Sequence, residues 1–99
     1  MAAEVPERFE RDMACDAREW QRLLRQALAG LAWQCEAAAA SITLEQGHLR
    51  MRWHALPTRR IAQLDLPMLR VHFAFVGVGA AERGRFMRHF DMHTHRGGG

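Results

Sequence analysis

The chain has 99 residues, 48% of them apolar and 25% charged, with a formal net charge of +3 at pH 7. That length leaves no room for a second core, and that composition excludes disorder over most of the chain. A charge of +3 is too small to announce a nucleic-acid binder by itself.

In chain order, residues 1 to 15 read as a frayed or partly helical segment, with Phe9 and Met13 spaced like one helical stripe. Asp16-Ala17-Arg18-Glu19 has the form of a capping box, in which Asp16 accepts the Glu19 amide. A helix over about 17 to 29 follows, or one beginning near Glu7 with Asp16 inside it. Its apolar stripe is Trp20, Leu24, Ala27, Leu28 and Leu31, and Gly30 supplies a left-handed stop. Residues 32 to 40 show no settled period and read as irregular.

From Ile42 the period becomes two. Ile42 and Leu44, a Gln46-Gly47 turn, then Leu49, Met51 and Trp53 against Arg50, Arg52 and His54 describe a hairpin with one dry face and one wet face. Pro57 interrupts it, Ile61 to Leu66 reads as a third strand, and Pro67 marks a turn. Leu69, Val71, Phe73 and Phe75 form a fourth strand, with Arg70 and His72 outward. Gly77 and Gly79 end it, and a helix over about 80 to 93 follows, burying Phe86, Met87, Phe90 and Thr94. The expected fold is α+β: an antiparallel meander of three to four strands, packed on one face by an N-terminal and a C-terminal helix in the order α-β-β-β-β-α, all within one domain spanning 1 to 99.

All 14 basic residues are Arg, and Lys, Asn and Tyr are absent, a bias that points to a GC-rich bacterial genome. Charge is unevenly spread: residues 1 to 20 sum to −3 and residues 46 to 99 to +6. Cys15 and Cys35 belong to no paired motif, so a reducing compartment is expected. With no apolar run of membrane length and no secretory-type core near the start, the expected location is the cytoplasm, with no membrane partner.

Two constellations can carry chemistry. His89, His93 and His95 cluster at the last helix end, where imidazoles one turn apart can share zinc or nickel. Arg50, Arg52 and Arg70, with His54 and His72 in the same phase, describe a basic sheet face, and Arg85 and Arg88 describe a basic stripe on the last helix, suited to phosphate or carboxylate. Trp53, Phe73 and Phe75 take the inward phase, which leaves no exposed platform for stacking bases.

A helix, an antiparallel meander and a helix resembles the double-stranded-RNA-binding domain in architecture, and the segment from Gly77 to Arg85 is similar to the loop leading into that family's last helix. Glu82 and Gly84 stand where that family carries consecutive cations, so the likeness stops at architecture. Arg96-Gly97-Gly98-Gly99 is similar to the tails of ubiquitin-like and sulfur-carrier proteins, but follows a helix, as a C-cap and flexible end would.

No nucleophile, base and orienting group can be assembled from Ser41, two cysteines expected at cap and core positions, and an N-terminal cluster of acids. The expectation is therefore a non-enzymatic interaction or assembly module without a cofactor. Its expected partner is a protein, with homodimerisation the simplest case because so small a core is only marginally stable alone and a meander leaves two open edges. The alternatives are an anion or RNA binder working through the arginines and, after that, a divalent-metal site at the histidines.

Overall fold

The computed structural model describes residues 4–94; His95 and the glycine tail lie outside them. The elements are β1 (Arg8–Met13), α1 (Ala17–Ala27), β2 (Ala32–Cys35), β3 (Ala39–Thr43), β4 (His48–Ile61), β5 (Leu64–Val76) and α2 (Ala80–Thr94). Strands β2 to β5 make an antiparallel meander, and β1 adds to the far side of β5, giving the sheet order β1-β5-β4-β3-β2. This is the expected α+β architecture with five strands, slightly more than the three to four expected.

The helices are where period and capping place them. Asp16 is extended and its carboxylate accepts the Glu19 N–H at 2.8 Å, which starts α1 and rules out a helix running through it. Gly30, at φ 83°, turns the chain back toward the sheet. Both helices lie on one sheet face. Trp20 and Leu24 from α1, Leu28 at its C-cap, and Phe86, Met87 and Phe90 from α2 pack over Leu49, Met51, Val71, Phe73 and Phe75. The Trp20 ring meets Trp53 and Phe90 edge to face, at 6.2 and 5.9 Å between centroids, the favoured geometry for aromatic quadrupoles. Neither buried indole N–H, of Trp20 or Trp53, finds an acceptor among the described residues, a cost of about 1–3 kcal/mol each that the packing must offset.

Four expectations are corrected. The segment read as frayed or helical supplies β1, because Phe9 and Met13 are inward neighbours of a strand; Arg11 between them also points inward. Its guanidinium reaches Asp91 of α2 at 2.5 and 3.2 Å and lies over the rings of Phe9 and Phe73. Residues 32 to 40 are regular: they form β2 and the start of β3, joined by a tight loop that the Glu36 N–H closes on the Ala39 carbonyl at 2.7 Å. Leu31, placed on the apolar stripe of α1, lies beyond the helix and is exposed.

The fourth correction concerns residues 57 to 67. Ile61 to Leu66 is not a third strand of the sheet but the tip of one long hairpin, with Ile61 paired to Leu64 across a turn at Ala62-Gln63. Pro57 and Pro67 face each other in a bulge, where register shifts between Leu56 and Arg59. Neither needs a ladder N–H there, so neither breaks the strand. Pairing with β1 ends at Leu69 and pairing with β3 at Arg52, so the hairpin projects beyond its neighbours as a two-stranded arm.

The base of that hairpin depends on one glycine. Gly47 has φ 80°, and a Cβ there would stand 2.0 Å from the Val76 carbonyl oxygen. The β3–β4 turn is thus packed against the end of β5 too closely for any side chain.

Candidate functional site

Because the helices cover only one sheet face, the outer face of all five strands is open. Across it the register aligns Asp12, Arg70 and His54 in one row, and Glu10, His72, Arg52 and Ala39 in the next. The expected basic face is therefore half neutralised by β1. Asp12 accepts both forks of Arg70 at 2.8 and 3.1 Å, and this hydrogen-bonded pairing holds the Asp12 carboxyl below its usual range and the Arg70 guanidinium above its own. Glu10 lies 3.2 Å from His72 Nδ1 and 3.8 Å from Arg70. The rings of His54 and His72 stack at 5.3 Å. Arg50 and Arg52 are exposed and have no acceptor among the described residues.

Arg85 and Arg88 do not join this face. They lie on α2, in the opposite layer, along a groove shared with Val5, Arg11 and Asp91. Arg83, which sequence reasoning did not single out, fixes this side: it donates to the carbonyls of Val5 at 2.8 Å and Val78 at 2.7 Å. That clamps the chain start onto the helix.

At the histidine cluster, the rings of His89 and His93 are 4.3 Å apart. His89 Nε2 lies 3.0 Å from the Ala27 carbonyl and His93 Nδ1 lies 2.8 Å from the His89 carbonyl. A carbonyl only accepts, so each of these nitrogens carries hydrogen. One ligating position of each ring is thereby occupied, leaving His89 Nδ1 and His93 Nε2. Among the described residues no group of three His, Cys, Asp or Glu is arranged to hold a metal ion; His95 lies outside them.

The two sheet edges differ in a way the ladder makes readable. In an antiparallel pair, residues alternate between exchanging hydrogen bonds and pointing them away. The bond from Glu36 to Ala39 sets that phase for β2: Gln34 bonds toward β3, whereas Trp33 and Cys35 direct their N–H and C=O groups to the open side. The bond from Phe75 N–H to the Glu7 carbonyl sets it for β1, whose open side carries Arg8, Glu10 and Asp12. Thus every outward position of β1 is charged, and neither outward position of β2 is.

Sequence reasoning missed the β2 edge because an alanine-rich stretch has no period to show. It also missed the arm, where Ile61 is 51% and Leu64 65% exposed. Cys35, expected to be packed, is exposed at the β2 edge. Partial desolvation by its neighbours pushes its thiol up, against the attraction of Arg25, so it rests as a thiol and not as a thiolate nucleophile.

No helix among the described residues is long and apolar enough to cross a membrane. No protein-family model matches this chain, and no curated protein matches it in sequence.

Proposed function

We propose that the protein is a non-enzymatic assembly module of the bacterial cytoplasm that forms a homodimer by pairing β2 with β2 of a second copy. The observation that carries this reading is the open side of β2, where the backbone groups of Trp33 and Cys35 aim outward with no charged side chain among them. Natural sheets blunt their free edges with charge, as β1 does, because an unguarded edge is a template for another strand. From Ala27 to Leu44 the only charged residue is Glu36, so the two strands meet with no like charges directly opposed, and the cation nearest the edge, Arg25, belongs to α1.

The pairing has one natural register. Residues with outward groups must face each other, so Trp33 of one copy opposes Cys35 of the other and the two-fold axis passes beside Gln34. Each copy then satisfies the other's free amides and carbonyls, and the sheet continues across the pair. Leu31, exposed at the start of β2, adds apolar surface beside the junction.

Cys35→Pro tests this. It removes an N–H that points away from β3 and leaves the β2–β3 ladder intact, as proline on the solvent side of an edge strand does. Light scattering of the full chain is expected to give twice the 11.4 kDa chain mass for the parent and the single-chain mass for Cys35→Pro, with unchanged circular dichroism. A parent that stays single at all accessible concentrations overturns the reading, as does a Cys35→Pro variant that still pairs.

A further inference from the structure

The geometry points to an anion-binding notch on the open sheet face, lined by Arg8 and Arg52 beside Ala74 and flanked by Arg50, that takes a phosphate group. It does not rest on self-association, since it lies on the β1–β5–β4 side of the sheet. Ala74 is paired with Arg8 on one side and Arg50 on the other. Strands are about 4.8 Å apart, so the two arginine backbones flank the Ala74 methyl at roughly 10 Å, a span that two long guanidinium side chains can close from opposite sides. Arg52 follows Arg50 on the same face, one row along. Arg8, Arg52, Ala74, Glu10 and His72 line a shallow notch of about 320 Å³.

Two observations make this more than a solvated surface. The acids that share the face, Glu10 beside the notch and Asp12 one row further along, are both engaged, with His72 and Arg70. Among the described residues, Arg8, Arg50 and Arg52 have no carboxylate or carbonyl acceptor. Cations that flank a residue without a long side chain gain from an anion placed between them, and guanidinium forks match phosphate oxygens two at a time. Glu10 borders the notch and closes it to anions on that side, so a compact group bound above Ala74 fits better than a strand of phosphates running across the sheet. The face also offers no phenyl or indole ring for a base, since Phe9, Phe73 and Phe75 pack against the core, and its two imidazoles, His54 and His72, stack on each other.

The test is calorimetric titration of the full chain with inorganic pyrophosphate at low salt. Saturable binding is expected, weakened at least tenfold by Arg8→Gln and by the double variant Arg50→Gln/Arg52→Gln, and changed less than twofold by Arg88→Gln on the helical layer. Ala74→Glu places a carboxylate where the anion would sit; it is expected to abolish binding and, by neutralising the cluster, to raise the melting temperature. Absence of saturable binding overturns the inference. So does equal weakening by Arg88→Gln, which would make the effect one of net charge, or pyrophosphate binding that survives Ala74→Glu.

Discussion

Asp12 and Arg70 show how single residues reshape what a charge pattern promises. Arg70 has the outward phase of a binding residue, yet both its forks are satisfied by Asp12 across the β1–β5 pair. Because that hydrogen bonding lowers the folded-state value of Asp12 below the ordinary 3.8, the pair's contribution to stability is present above the unfolded value. It is lost as pH falls through the folded one. Comparing the thermal midpoints of the parent and Asp12→Asn is therefore expected to show a gap at about pH 6 that narrows as pH falls through and below the ordinary carboxylate range. A gap that is constant, or widest in acid, would mean that the pair does not act through ionised Asp12. Arg11 makes the complementary point: a charged residue in an inward phase is acceptable where a carboxylate on the facing helix and two aromatic rings receive it.

At the scale of elements, those with a strong local period were legible in the sequence. The alternation from Leu49 to Trp53, the strand from Leu69 to Phe75 and the stripe of Phe86, Met87 and Phe90 each have one low-energy reading, and the structure adopts it; of the two readings open at Asp16, it adopts the cap. β1 was not legible because Phe9 and Met13, four apart, suit a helix as well as a strand and Arg11 breaks the alternation. β2 was hidden by alanines. The arm was hidden by Pro57 and Pro67, which mark breaks unless they meet in a bulge, and by a turn at Ala62-Gln63 with no residue that announces one; Ala62 takes φ 55°, a region that Ala occupies at a cost. Of the candidate site, Arg50 and Arg52 were readable from phase alone, but Arg8 depended on β1 and the outward groups of Trp33 and Cys35 on β2.

A two-stranded arm beyond the sheet adds nothing to the core, and its tip is wet on both sides. Ile61→Thr with Leu64→Thr, which keeps strand propensity, is therefore expected to shift unfolding stability by no more than about 0.5 kcal/mol in a denaturant titration. A loss of several times that would show that these side chains are packed in solution.

Over the whole molecule, the charge imbalance along the chain becomes internal order. The acidic N-terminal segment lies against β5 and α2, where Asp12 meets Arg70, Glu10 meets His72, and Arg83 holds the Val5 carbonyl. Part of the basic excess of the C-terminal half is thus answered within the chain, while Arg50 and Arg52 stay open on the sheet face and Arg85 and Arg88 on the helical layer. The helical layer buries the aromatic core. β1 guards one edge with charge, and the other edge, β2, carries none among its outward positions.

Site-resolved amide hydrogen exchange on the full chain tests that edge most directly. Within one chain the even positions of β2, Ala32 and Gln34, face β3, so in an unpaired molecule Trp33 and Cys35 exchange freely while Gln34, between them, is protected. All three are expected to be protected at high protein concentration, with dilution releasing Trp33 and Cys35 together and leaving Gln34 slow. Fast exchange at Trp33 and Cys35 at every concentration would contradict it.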